Sequence, residues 1–241
     1  MSERNDILSR ALSRAGLADD PVALERFRAY HALLTERNRL MDLSNVPDVE
    51  MPDRHYADSI APVLRYPELI GPDDSILDVG SGAGLPGIPL AILRPDQEVT
   101  LLEANGRRCD FLREVIGRLG LAKASVLESR AETAGQDVRH RERYMVTVSR
   151  AVAGLPELLE YMLPLTAVGG RALCWKGRRA EEELAAASAA VRALGGGELT
   201  ALPYGGEGSE SVVVRAEKRA ATPANYPRRV GIPHKRPIME K

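Results

Sequence analysis

The chain of 241 residues has only two cysteines, Cys109 and Cys174, far apart and each in an apolar setting. That pair makes neither a disulfide framework nor a zinc set, and it suits a reducing cytoplasm. No apolar run is long enough to span a membrane. The charged, helix-patterned start from Met1 to Arg14 has no signal-peptide apolar region. A cytoplasmic protein with no membrane partner is therefore expected. The four histidines are scattered, so no catalytic triad and no metal site is expected, and no catalytic residue is singled out. One stretch lacks charge of one sign: between Lys218 and Met239 there is no acidic residue.

What is present fits a folded α/β protein. At 44% hydrophobic and 28% charged, the chain can build a core with an ordinary solvated surface. Its length fits one domain with an extension, or two small ones. The net charge of −1 says little about a partner, because local charge distribution decides nucleic-acid binding.

The first part reads as helical. Ile7, Leu8, Ala11, Leu12 and Ala15 recur at helical spacing, and Gly16 ends the run. A second helix starts after Asp19-Asp20-Pro21, with Leu24, Phe27, Tyr30 and Leu34 on its apolar face. A loop with Asn38 and Ser44 follows, and Met51 to Tyr66 reads as a third helix. From Ser75 onward strands and helices alternate: strands at 75–79, 98–102, 124–128, 144–149 and 169–175, helices at 86–94, 106–119, 155–163 and 179–194. Two strand-like runs, 197–203 and 211–217, close the series with no helix between them. The alternation predicts a parallel sheet covered on both faces, and the last two strands an antiparallel pair. Three segments are expected: a helical extension over 1–70, a core over 71–220 and a basic tail over 221–241.

The richest local signal is Asp78-Val-Gly-Ser-Gly-Ala-Gly-Leu-Pro-Gly87, where a buried strand enters a glycine-dense turn before a helix. Side chains there would hold a ligand away from the backbone. Gly82-Ala-Gly-Leu-Pro-Gly87 fits the dinucleotide pattern, and Glu103 ends the next strand, where a ribose-binding acid belongs. Two features oppose a dinucleotide. Asp78 would set a carboxylate near the pyrophosphate, and Pro86 removes a backbone donor from the helix start. S-adenosylmethionine carries no phosphate and has a sulfonium and an ammonium, which carboxylates favour. A methyl donor is therefore the expected cofactor, with NAD as the other reading. Glu103 can accept both ribose hydroxyl protons, and Glu132, after the third strand, is expected beside the adenine.

The turn Asp78 to Leu90, with Arg94-Pro95 behind it, resembles the ribosomal RNA small subunit methyltransferase G family, also called glucose-inhibited division protein B. The likeness continues through Asn38, Leu43-Ser44, Arg54-His55-x-x-Asp58-Ser59, Leu101-Leu102-Glu103, Ser129-Arg-Ala-Glu132, Ser149-Arg-Ala151, Lys176-Gly177 and the tail from Tyr226 to Ile238. Three positions depart from the family's usual pattern: Asp42 and Ser44 stand where asparagine and threonine are common, and Arg37 where an aromatic is. The resemblance implies a class I S-adenosylmethionine-dependent methyltransferase fold: Rossmann-like, with a mostly parallel seven-stranded sheet ending in an antiparallel hairpin. It implies methyl transfer to N7 of one guanine in 16S rRNA, and Gly80, Leu85, Glu103, Ala131, Glu132 and Arg150 as cofactor contacts. Gly82 in the turn and Ala104 after Glu103 complete the expected set. Two other readings stand beside it: a methyltransferase for a small molecule or protein, and a non-catalytic nucleotide-binding assembly factor.

Guanine N7 has a lone pair and no proton, so no general base is required, and alignment is the main task. Arg150, ending the fourth strand, is expected on the cofactor carboxylate or the guanine N7/O6 edge. Lys176, ending the fifth, is expected at a phosphate or the target base. His55 and Asp58 share a helix face and are expected at RNA or over the cofactor pocket. The proline- and glycine-containing tail is expected to stay extended and track a phosphate backbone through Arg228, Arg229, Lys235 and Arg236. Its loss is then expected to weaken RNA binding and spare the cofactor. The expected partner is 16S rRNA or the small ribosomal subunit, with the chain itself a monomer.

Overall fold

The computed structural model describes every residue except Met1, Ala18, Glu207 and Lys241, with side chains from Ile7 onward. The expected ends of the first helix and of the tail, Met1 and Lys241, therefore lie outside the described residues.

Three helices come first: α1 (Ser2–Arg14), α2 (Pro21–Met41) and α3 (Asp58–Arg65). Asp20 starts α2 by accepting from the Ala23 N–H at 2.9 Å, with Pro21 in the first turn, where its missing N–H costs nothing. Asp42 closes α2 in the left-handed region at φ 54°. Asp tolerates that conformation much as Asn does, which accounts for the exchange at this position. Arg37 is held by Glu114 through bonds of 3.0 and 2.7 Å.

The predicted helix over 51–66 is not uniform. Pro52–Ala57 forms a wider π-type turn before α3 begins. Pro62 inside α3 has no N–H for the Asp58 carbonyl, and the Trp175 indole N–H fills that gap at 3.0 Å. Proline thus frees a backbone acceptor that ties α3 to the sheet.

The sheet is seven-stranded in the order β3-β2-β1-β4-β5-β7-β6. Its strands are β1 (Ile76–Val79), β2 (Val99–Glu103), β3 (Ala124–Glu128), β4 (Tyr144–Arg150), β5 (Thr166–Lys176), β6 (Gly196–Pro203) and β7 (Val212–Lys218). β1 pairs in parallel with both β2 and β4, while β7 runs antiparallel to both β5 and β6. The order reverses between β1 and β4, so a crevice opens at their carboxyl ends. Intervening helices are α4 (Gly87–Leu93), α5 (Gly106–Leu119), α6 (Ala131–Gln136), α7 (Leu155–Met162), α8 (Ala180–Ala186), α9 (Ser188–Ala193) and, in the tail, α10 (Ile232–Lys235). The short α6 has no sequence periodicity long enough to betray it. The helix expected over 179–194 divides at Ala187, where the Ser188 hydroxyl turns back to the Ala185 carbonyl at 3.0 Å and competes with the helical ladder.

Alternation along β1 builds two cores. Ile76 joins the face packed by α1, α2, α4 and α5, with Leu12, Phe27, Leu34, Ile88 and Phe111. Leu77 and Val79 join the opposite face, with Leu155, Leu159, Leu163 and Val191. The N-terminal helices therefore share the sheet's core. Phe27, Tyr30 and Tyr56 cluster with ring centroids 5.4–5.9 Å apart, and the buried Tyr30 hydroxyl donates to the Ala83 carbonyl at 2.6 Å, bracing the glycine turn from behind. No helix among the described residues is long and apolar enough to cross a membrane.

Candidate functional site

A cavity of about 740 Å³ lies at the carboxyl ends of β1, β2 and β4, within the usual size range for small-ligand sites. The turn between β1 and α4 forms its floor. Gly80, Gly82 and Gly84 all have positive φ, at 74°, 55° and 95°, a region side chains resist. The space beside Gly82 is open, the nearest atom to an added Cβ being the Gly80 carbonyl oxygen at 3.9 Å. Gly84 and Gly87 serve packing instead: a Cβ would meet Ile88 at 2.6 Å and Leu101 at 2.3 Å respectively.

Glu103 is buried, yet its carboxylate reaches the cavity. One oxygen accepts from the Gly82 N–H at 2.9 Å, the other from the Ala104 and Asn105 N–H groups, both at 2.8 Å. Three backbone donors thus fix the carboxylate in place. Asp78 is placed differently from the expectation that it would act on the ligand. Its side chain points to the α4 face, is fully buried, and accepts from the Gly87 N–H at 3.0 Å. Parity decides this: Asp78 lies on the same strand face as Ile76. Burial, opposed by the Gly87 hydrogen bond and others, pushes its carboxyl up to about 7, and its second oxygen has no partner. The consequence for ligand choice survives by another route. The helix-start N–H that a pyrophosphate would need is already occupied by Asp78.

All eight expected cofactor residues line this cavity: Gly80, Gly82, Leu85, Glu103, Ala104, Ala131, Glu132 and Arg150. Glu132 is buried, and one of its oxygens accepts from the Gly231 N–H of the tail at 2.9 Å. Sequence reasoning missed several neighbours in the wall: Tyr161 and Glu157 of α7, and Val230, Gly231 and His234 of the tail. Glu157 and Tyr161 stand one turn apart on α7, beside Glu160 on a helix whose remaining residues are apolar, and that spacing was the one signal there to read. Nothing local marks the tail residues.

Arg150 joins this cavity to a second one of about 680 Å³, which Trp175, Lys176 and Tyr204 also line. Its guanidinium is committed on both sides. One nitrogen donates to Asp58 at 2.9 Å and to the Arg54 carbonyl at 3.0 Å, the other meets His55 Nδ1 at 2.9 Å. Burial first, then the Arg150 charge, lowers the His55 pKa to about 4, so the ring is neutral near pH 7 and accepts from Arg150. Its Nε2 lies 2.7 Å from the Ser44 hydroxyl. Ser44 is in turn clasped by Asn38, through bonds of 2.7 Å to its N–H and carbonyl. On the far side Tyr204 donates to the other oxygen of Asp58 at 2.7 Å. Asn38, Ser44, His55, Arg150, Asp58 and Tyr204 thus form one connected polar chain; His55 and Asp58 both contact Arg150, and His55 also lines the first cavity.

Two further expectations are corrected. Lys176 is not free for a phosphate: its ammonium binds Glu183 at 2.7 Å and the Ala153 carbonyl at 2.8 Å. A buried lysine stem at a strand end leaves the charge in need of a partner, and Glu183, also bonded to the Leu155 N–H that opens α7, supplies it. Arg228 forks onto the fully buried Glu160 at 2.5–3.1 Å, so it is an anchor. The tail consequently folds back on α7 and does not extend. Arg229, Lys235 and Arg236 remain exposed.

Residues 23–213 match the family model described as rRNA small subunit methyltransferase G. Among curated relatives, the ribosomal RNA small subunit methyltransferase G of Pelotomaculum thermopropionicum is 41% identical, covering 99% of this chain and 100% of that protein. That of Roseiflexus castenholzii is also 41% identical, over 97% and 100%. Among solved structures, the CurJ carbon methyltransferase aligns with a TM-score of 0.52 at 13% identity, over 88% of this chain and 70% of that one. A fibrillarin pre-rRNA processing protein from Methanococcus jannaschii gives 0.50 at 14% identity, over 63% and 70%. These two likenesses concern the fold.

Proposed function

The chain belongs to the rRNA small subunit methyltransferase G family, and from that premise we propose that it transfers a methyl group from S-adenosylmethionine to N7 of one guanine in 16S rRNA. The observation that carries the cofactor assignment is the Glu103 carboxylate. Three N–H groups fix it at the rim of a cavity whose helix-start donor is already taken by Asp78. That arrangement suits a ligand with ribose hydroxyls and positive charge, and leaves the Gly87 N–H of the helix start unavailable to a pyrophosphate. When bound, S-adenosylmethionine supplies an electrophilic methyl group on a sulfonium sulfur.

The chain's own residues bind and orient. Gly80 and Gly82 let backbone approach the ligand, Glu103 accepts from ribose hydroxyls, and Ala104, Ala131 and Glu132 flank the adenine side, with Leu85 on the floor. Arg150 stands between the two cavities, its charge balanced by Asp58, with hydrogen-bonding capacity left for a substrate edge. The neutral, doubly engaged His55 is unsuited to proton abstraction, and N7 methylation asks for none. What the site offers is alignment of a base against the methyl donor. The second cavity, beyond Arg150, is the space for that base. The small ribosomal subunit as the particle recognised, a cytoplasmic location and a monomeric state complete the proposal.

The test is transfer of labelled methyl from S-adenosylmethionine to 16S rRNA, naked and in small-subunit particles, from cells lacking the enzyme, with the product base mapped. One N7-methylguanine is the expected result. Labelled protein or small molecules with unlabelled rRNA would overturn the assignment.

A further inference from the structure

The tail, read from sequence as an RNA-tracking extension, has two faces. Its inner face is built into the first cavity: Val230, Gly231 and His234 line it. The Gly231 N–H bonds the carboxylate of Glu132, and His234 Nδ1 approaches Glu157 at 3.2 Å. The segment is seated firmly. Arg228 is locked on Glu160, whose carboxylate has no exposure. Arg141 holds the Thr222 and Tyr226 carbonyls at 2.6 and 2.7 Å, and Gln136 holds that of Pro227 at 2.8 Å. On the outer face, Arg229, Lys235 and Arg236 are exposed, and among the described residues no carboxylate is paired with them.

We infer that residues 229–236 are a two-faced wall of the methyl-donor site: the inner face contacts the adenine side of the cofactor, the outer face contacts RNA phosphates, and the two ligands therefore bind with positive coupling. This rests on the methyl-donor reading of the cavity. The physical link is short. Glu132 is shared between the tail's Gly231 N–H and the ligand, so an occupied cavity favours the seated tail. A phosphate backbone resting on the three outer cations favours the same state. Each ligand then strengthens the other by the same factor. The expectation that removing the tail spares the cofactor is thereby reversed.

The test compares three proteins by calorimetry with S-adenosylhomocysteine, a product that binds without reacting, with and without a 16S rRNA fragment. They are the full chain, a chain ending at Arg228, which keeps the buried pair with Glu160, and the triple variant R229A/K235A/R236A. The full chain is expected to bind the ligand about fivefold or more tightly when RNA is present. The shortened chain is expected to bind about tenfold more weakly and to gain nothing from RNA. The triple variant is expected to bind like the full chain alone and to lose most of the gain. Equal affinity of the full and shortened chains, both folded by circular dichroism, would overturn the wall. Should the shortened chain not fold, hydrogen exchange on the unaltered protein decides: ligand-induced protection of the Gly231 region supports the wall, and unchanged exchange there overturns it. No binding to the full chain would instead refute the methyl-donor reading itself.

Discussion

On the β1–β2 side of the cleft, backbone N–H groups from two short loops meet two carboxylates, Asp78 and Glu103. On the β4–β5 side, side chains from opposite parts of the chain meet each other: Arg150 with Asp58 and His55, Lys176 with Glu183. The first arrangement joins residues no more than 21 positions apart in sequence, with Tyr30 of α2 bracing the turn from behind. The second exists only once α3, the loop around Ser44 and the sheet have come together. Under the proposed function, a cofactor half held by backbone donors and a substrate half assembled from distant side chains suit an enzyme whose cofactor is constant and whose macromolecular substrate must be positioned.

The contrast should show first in binding. Glu103→Ala removes the proposed acceptor for two ribose hydroxyls and leaves three N–H groups without their partner. A loss of about 5 kcal/mol in cofactor affinity is expected, several thousandfold in Kd, measured by calorimetry. Asp58→Ala, on the other half, should leave cofactor affinity within about tenfold while methyl transfer falls much further. Equal losses of affinity in the two variants would erase the distinction.

Acid stability sharpens it. Asp78 and His55 respond to pH with opposite sign over nearly the same window. Asp78 keeps its proton in the fold up to about 7, whereas the unfolded chain releases it near its ordinary value. Folding stability from this group is therefore lost as pH rises from about 4 to 7, by about 4 kcal/mol. His55 refuses a proton in the fold down to about 4, whereas the unfolded chain takes one near 6.5. Its contribution is therefore lost as pH falls from about 6.5 to 4, by about 3 kcal/mol. In the parent chain the two nearly cancel. Denaturant unfolding at pH 4.5 and 7 should show Asp78→Asn gaining stability over the parent at the higher pH, and His55→Gln gaining at the lower. Parallel curves for parent and variants would contradict both assignments.

The smallest effect is expected at Lys176. Lys176→Met leaves Glu183 bonded to the Leu155 N–H and places an apolar chain of similar length in the same slot. A stability change of about 1 kcal/mol in thermal melting is expected, with RNA affinity and its salt dependence unchanged. A salt slope reduced by about one charge would show instead that Lys176 meets a phosphate after all.

The same contrast explains what could be read from the sequence. The turn from Asp78 to Gly87, the acid at 103 and the closing antiparallel strands announce themselves through spacing, because each is a local solution to a local steric or hydrogen-bonding need. The Arg150 chain was visible only as separate residues. That His55 is neutral, that Asp58 has Tyr204 on its other oxygen, and that Pro62 frees a carbonyl for Trp175 are facts of tertiary assembly. The tail misled for the same reason. Its prolines and cations read as an extended, exposed tail, but the partner that folds it back, Glu160, lies 68 residues away in sequence and sits buried on α7.

The most direct measurement is titration of the full chain, side by side, with S-adenosylmethionine and with NAD, repeated on Glu103→Ala. Saturable one-to-one binding of the methyl donor, lost in the variant, together with no heat from NAD, is the expected result. Binding of NAD, or methyl-donor binding indifferent to Glu103, would contradict the assignment of the cleft.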